Sequence, residues 1–152
     1  MWVIKTIDMK DMARDMRPIA KNEAKILQVL NHPNIIRFKE VFKDRDVCLN
    51  IVMEWADGGD LGHIIRERKR NSDYFTEDQI LDYFTQMCLG LKHCHDRKIM
   101  HRDLKPDNIF LTRQDVVKLG DFGVAKVLNN TKAQAETFVG TLYYLSPEVW
   151  EG

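Results

Sequence analysis

Asp103, Lys105, Asn108 and Asp121 bring two carboxylates, an amide and an ammonium into one short stretch of the chain. Oxygens of the kind that Asp121 and Asn108 carry are the hard ligands magnesium takes. Transfer of a phosphoryl group depends mostly on positioning and on neutralising charge around a γ-phosphate, and carboxylates, an amide and a lysine supply both. An isolated Asp or Asn is more often a turn or cap residue. Here they recur inside two ordered motifs, His101-Arg102-Asp103-Leu104-Lys105-Pro106-Asp107-Asn108 and Asp121-Phe122-Gly123.

These motifs match the protein-kinase catalytic loop H-R-D-L-x-x-x-N and the metal motif D-F-G, in the right order. The chain therefore resembles a eukaryotic protein kinase catalytic domain. The resemblance implies that Asp103 accepts the proton of the substrate hydroxyl, that Lys105 reaches the transferring phosphate, and that Asn108 and Asp121 hold magnesium. Val3-Ile4-Lys5 fills the V-A-I-K position, with Val3 for Ala, so Lys5 is implied to grip the α- and β-phosphates. Glu23, ahead of His32-Pro33-Asn34, is implied to pair with Lys5; the alternative is a surface salt bridge or a solvated lysine. Met53-Glu54-Trp55-Ala56 resembles the hinge, with Met53 as gatekeeper and the backbone of Glu54 and Ala56 facing adenine. Phe110 would be the floor under the base. Ordinary core is the other reading of Met53 and Phe110, and both can hold together.

Thr137-Phe138-Val139-Gly140-Thr141-Leu142-Tyr143-Tyr144-Leu145-Ser146-Pro147-Glu148 resembles the end of an activation segment, with Ser-Pro-Glu for A-P-E. By the same resemblance Lys105 and Thr141 favour Ser/Thr over Tyr as acceptor. Thr137 is the implied activating phosphosite, and Arg102 with Lys126 its basic pocket. Leu119-Gly120 before Asp-Phe-Gly, Ser-Pro-Glu after Gly-Thr-x-Tyr-Tyr, and Glu54-x-x-x-Gly58-Gly59-Asp60-Leu61 together look most like the NIMA-related kinases. Resemblance to that family implies ATP-dependent phosphorylation of Ser/Thr on proteins, with ATP and Mg2+ as cofactors and protein substrates as partners. The implied location is cytoplasmic, with nuclear, centrosomal or ciliary sites open to the subfamily.

Elements must position these residues. The apolar, β-branched stretch 2–7 predicts a strand, and 9–17 a polar, Met-rich exposed connection. Ile19, Ile26, Leu27 and Leu30 recur with helical spacing after Pro18, and Asn31-His32-Pro33-Asn34 stops that helix. Strands are expected over 36–42 and 47–54 around the polar stretch Lys43-Asp44-Arg45-Asp46. After the break Ala56-Asp57-Gly58-Gly59 comes a short helix over 60–70. Thr76-Glu77-Asp78-Gln79 is a capping box opening a long helix, expected to be largely buried with Ile80, Phe84, Met87, Cys88 and Leu91 on one face. Short strands follow over 108–112 and 116–119.

The fold class expected is α+β, a protein-kinase-like two-lobed fold: 1–54 an N-lobe remnant, 55–57 the hinge, and 58–152 a partial C-lobe ending in the activation segment. No G-x-G-x-x-G precedes Val-Ile-Lys, and the helices that follow Ser-Pro-Glu in the family are absent from the 152 residues. The fold is expected to be incomplete, truncated at both ends. The isolated chain is then expected to be inactive or nearly so, and to expose apolar surface and associate, or need a chaperone. Two rival classes stand beside the enzyme: a non-catalytic kinase-like binding or dominant-negative fragment, and a small-molecule phosphotransferase of related fold. The second is disfavoured by Gly140-Thr141 through Glu148, a segment such enzymes lack.

Composition bounds these readings. The chain has 152 residues, 44% of them hydrophobic and 30% charged, enough apolar material for one core and no more than one domain. Lys+Arg and Asp+Glu stand at 23 each, so no global field draws it to nucleic acid. Cys48, Cys88 and Cys94 form no C-x-x-C pair, against a disulfide framework or a zinc site; Cys88 and Cys94 read as small core residues. No apolar run approaches a bilayer span and no signal peptide opens the chain, so membrane insertion and secretion are not expected. The mixed-sign run Arg66-Glu67-Arg68-Lys69-Arg70 reads as a solvated helix face rather than a nuclear signal. His63, His93 and His95 have no metal-ligand company in the sequence, and none is given a role.

Overall fold

Strand β1 (Trp2–Asp8) alternates exposed and half-buried residues, as one face of a sheet requires. The computed structural model describes residues 1–10, 17–44, 47–123, 125–127, 142–145 and 147. Along them run, in order, α1 (Arg17–Val29), β2 (Phe38–Asp44), β3 (Cys48–Glu54), β4 (Gly59–Asp60), α2 (Leu61–Arg70), α3 (Glu77–Asp96), β5 (Ile99–Met100), β6 (Ile109–Leu111), β7 (Val117–Leu119) and β8 (Lys126–Val127). A first antiparallel sheet has the order β1-β3-β2. Its central strand β3 buries Leu49 to Val52 in succession, with the polar Asn50 among them accepting the Thr6 hydroxyl at 2.7 Å, whereas edge strand β1 leaves Trp2 and Ile4 exposed. Lys5 pairs in register with Ile51.

Helix α1 packs across β2 and β3 and buries Glu23, Ala24, Ile26 and Leu27. It stops where His32 and Pro33 cannot continue it. His32 Nδ1 accepts the Asn34 N–H at 3.1 Å, and buried Asn34 donates to Gln86 Oε1 at 2.9 Å and to the Val117 carbonyl at 3.0 Å. One asparagine thus ties the loop after α1 to α3 and to β7. A second sheet, β4-β6-β7, carries Phe110 opposite Asp60 and Lys118, and a two-stranded ribbon joins β5 to β8. Between these layers Phe122, Ile26, Leu27, Ile35, Ile51, Ile99, Leu119, Val117 and Cys94 are fully buried.

The capping box that opens α3 is present: Gln79 N–H donates to Thr76 Oγ1 and Thr76 N–H to Gln79 Oε1. The face this helix buries is not the expected one. Tyr83, Gly90 and Cys94 are buried, with Met87 and Leu91 packed beside them, while Ile80, Phe84 and Cys88 are exposed. Helix α3 is apolar around most of its girth, so periodicity alone does not choose the stripe. Close approach does: a Cβ at Gly90 would lie 2.9 Å from the Asn34 carbonyl and from Leu119 Cδ1, so this side alone sits flush on β7. Cys88 is therefore not a core residue, whereas Cys94 is buried, which pushes its thiol up to about 11. Met9 also departs from expectation: it is buried, and its N–H donates to the Val47 carbonyl at 2.7 Å. Arg45 and Asp46 of the expected turn lie outside the described residues. Among the described residues no helix is long and apolar enough to cross a membrane.

Candidate active site

Lys5 reaches two carboxylates from two other parts of the chain. Its Nζ donates to Glu23 Oε1 at 3.0 Å and Oε2 at 2.8 Å, and to Asp121 Oδ1 at 3.0 Å. A strand, a helix and the loop after β7 meet at one ammonium. Burial pulls the Lys5 pKa down, but the charges and hydrogen bonds of Glu23 and Asp121 outweigh it and hold it above the ordinary lysine value. Glu23, only 2% exposed, has its carboxyl held up by burial while Lys5 pulls the other way. This is a structural ion pair with one partner open to the cleft, not a solvated lysine.

The loop before β6 is built on His101. Its Nε2 contacts the Gly120 carbonyl at 2.9 Å and its Nδ1 accepts the Asp103 N–H at 3.4 Å, which assigns the proton to Nε2. Burial lowers its pKa, so the ring is neutral, and it packs against the buried Phe122 ring at 4.7 Å. One imidazole thus sets the distance between the Asp103 loop and the Asp121 loop. Asn108, buried in the 3-10 turn Pro106–Asn108, donates its amide to the Asp103 carbonyl at 2.8 Å and to Asp103 Oδ2 at 2.9 Å. Lys105 Nζ lies 3.1 Å from the same Oδ2. Arg102 and Asp121 both take positive φ, 66° and 56°, a left-handed conformation that costs a non-glycine residue energy and clusters at working sites.

A cleft of about 370 Å³ opens between the first and second sheets. Val3, Ile36, Met53, Trp55, Ala56 and Phe110 line it with apolar surface, and Lys5, Glu23, Asn108 and Asp121 stand at its charged end. Glu54 borders it with its carboxylate turned to Lys118 Nζ at 2.9 Å, and its N–H is spent on the Arg37 carbonyl at 2.9 Å. Gly120 matters for space: a Cβ there would stand 2.7 Å from the Phe110 ring.

A model of the protein kinase domain matches residues 1–152. The chain belongs to the protein kinase domain family. Among curated relatives, serine/threonine-protein kinase Nek1 of Mus musculus is 50% identical over 150 residues, which cover 99% of this chain and 12% of the relative. Nek5 of Homo sapiens is 49% identical over 148 residues, 97% of this chain and 20% of the relative. Nek2 of Homo sapiens is 43% identical over 152 residues, 96% and 34%. The chain thus spans 12% to 34% of the length of these three relatives. They are the NIMA-related serine/threonine kinases that the motifs resemble.

The kinase domain brings together Lys5, Glu23, Met53, Glu54, Ala56, Asn108, Phe110 and Asp121 around one cleft, with Asp103 and Lys105 bonded to Asn108 and to each other. Arg102 lies beside Asp103, and Lys126 pairs with Met100 in the β5–β8 ribbon. Thr137 and Thr141 lie outside the described residues. Sequence reading missed Asp107, which lines the cleft next to Asn108, and Ile36, brought in by its N–H bond to the Leu119 carbonyl at 2.9 Å. The signal for Asp107 was its place inside the catalytic loop. Ile36 carried none, since its role depends on a contact far along the chain.

Proposed function

We infer that the protein carrying this domain transfers the γ-phosphoryl group of ATP to serine and threonine hydroxyls of proteins. The observation that carries the reading is Lys5 bonded to both Glu23 and Asp121 at the charged end of a cleft whose other end is apolar. The apolar surface of Val3, Ile36, Met53 and Phe110 suits a flat base, with Ala56 and the Glu54 carbonyl at its edge. Lys5 would hold the α- and β-phosphates.

The donor set also fits magnesium. Asn108 spends its amide nitrogen on Asp103, which leaves its Oδ1 as a ligand atom, and Asp121 offers carboxylate oxygen. Among the described residues no group of three His, Cys, Asp or Glu could hold a metal; two oxygen ligands with the rest supplied by water and phosphate is the habit of Mg2+. Bound there, the metal would neutralise charge on the phosphates. Asp103, held by Asn108 and Lys105, would accept the hydroxyl proton as the acceptor oxygen attacks, and Lys105 would balance charge on the transferring group. Thr137, phosphorylated and facing Arg102 and Lys126, would order the activation segment. The test is transfer of labelled γ-phosphate from magnesium-ATP, by the longer protein that carries this domain, to Ser, Thr and Tyr forms of one protein substrate. Label on Ser and Thr forms supports the reading, and label on none contradicts it.

A further inference from the structure

Asp121 holds its left-handed conformation, φ 56°, between two anchored flanks. On the near side the Gly120 carbonyl meets His101 Nε2 at 2.9 Å, and the Gly120 N–H donates to the Asn108 carbonyl at 3.0 Å. On the far side the Ala125 N–H donates to the carbonyl of buried Phe122 at 3.1 Å and closes a turn. The Ala125 carbonyl in turn accepts the side-chain amide of Asn22 at 2.7 Å. Ala125 is buried, so little water can replace that donor if it is lost.

Asn22 has no part in phosphoryl transfer as described, yet it stands on α1 directly before Glu23. One turn of α1 therefore reaches the same loop twice: Glu23 through the Lys5 ammonium to Asp121, and Asn22 directly to Ala125. The space between helix and loop is tight, since a Cβ at Gly123 would lie 3.3 Å from Asp121 Oδ1 and 3.9 Å from Glu23 Oε2. The two links differ in kind. Lys5 would share its charge with the phosphates it holds, whereas the neutral bond from Asn22 meets no competition from a nucleotide. A strained residue persists only where its surroundings over-determine it. Resting on the phosphoryl-transfer reading, we propose that Asn22 is a positioning residue for Asp121: its amide pins the Ala125 carbonyl to α1 and so keeps the Asp121 carboxylate at the charged end of the cleft as a magnesium ligand. Without that amide the β5–β8 ribbon still holds Lys126 and Val127, but the loop is released from α1 and Asp121 can relax toward an ordinary φ.

The test follows binding of a fluorescent adenine nucleotide to the longer protein that carries this domain, by anisotropy, with and without magnesium. In Asn22→Leu, which keeps the bulk but has no donor, the gain in affinity that magnesium brings should shrink about three- to tenfold, the scale of one lost hydrogen bond. Affinity without magnesium should stay at that of the parent. Asn22→Ala, which removes the amide and adds no bulk, should lose in the same range, which ties the effect to the missing donor. With neither nucleotide nor metal present, amide hydrogen exchange in the peptide containing Ala125 should quicken about three- to tenfold in both variants. An undiminished magnesium gain in either variant, an equal loss of affinity with and without magnesium, or unchanged exchange at Ala125 would overturn the proposal. Failure of the phosphoryl-transfer reading looks different: the parent itself then shows no magnesium gain, and the proposal falls with it.

Discussion

Lys5 Nζ and Asp121 Oδ1 lie 3.0 Å apart although 116 positions separate them in the chain, and the same ammonium holds Glu23 at 2.8 Å. Strand β1, helix α1 and the loop after β7 are therefore registered on one charge. Lys5→Met leaves the nearly buried Glu23 facing Asp121 with no cation. Breaking a buried pair costs about 3–5 kcal/mol, but Lys5 is 40% exposed, so a loss of about 1–2 kcal/mol of stability is expected with the discount for solvent screening. Glu23→Gln in the same background should recover part of it, which urea denaturation of the four proteins of the cycle would measure. Purely additive losses would show that the contact carries no coupling.

Asp121→Ala should weaken nucleotide binding in a magnesium-dependent way, since it removes an oxygen ligand and leaves the apolar end of the cleft intact. Nucleotide affinity measured with and without magnesium should show a smaller increment in the variant than in the parent. An equal increment would remove Asp121 from the metal site.

Gly120→Ala places a Cβ 2.7 Å from the Phe110 ring and 3.2 Å from Ile36 Cγ1. Overpacking of this kind costs about 1–3 kcal/mol, and the ring can relieve it by moving into the cleft. The expected result is weaker binding of an adenine nucleotide together with a lower melting temperature. Unchanged affinity would mean that Phe110 is not the surface on which the base rests.

Stability should fall as the solution is acidified through the histidine range. Burial of His101 lowers its pKa below the 6.5 of an unfolded histidine, and burial followed by the Arg97 charge does the same for His32 and His93. Below about pH 6.5 the unfolded chain binds more protons than the folded one, so stability is full above that value and lost as pH falls. Each such group contributes at most about 1.4 kcal/mol per pH unit. Urea midpoints at about pH 7.5 and about pH 5.5 should draw apart less in His101→Gln than in the parent, and equal separations would contradict a neutral, buried His101.

Much of the site was legible in the sequence, for a physical reason. Asp103, Asn108 and Asp121 sit in short motifs where chemistry restricts the residue type, and the capping box at Thr76 is a local signal for a local structure. The exposed side of α3 was not legible, because Ile80, Phe84 and Cys88 share an apolar helix with Tyr83, Met87 and Cys94. The choice between stripes is made by Asn34 and Leu119 approaching Gly90. Arg66 on Asp107 was hidden for the same reason: a charged helix face reads as solvated until the helix is placed beside the turn that carries Asp107.

Asp103→Asn, made in the longer protein that carries this domain, gives the most direct test of the account, with turnover and nucleotide affinity measured on the same preparation. Asn108 and Lys105 hold the Asp103 side chain, and no nucleotide contact is assigned to it, so the substitution removes a proton acceptor and little else. Turnover of ATP onto a protein serine should drop about 10²-fold or more, the scale of general-base catalysis, while affinity for magnesium-ATP stays close to that of the parent. If turnover survives, or if affinity and turnover fall together by the same factor, Asp103 is not the proton acceptor and the mechanism proposed for this cleft is wrong.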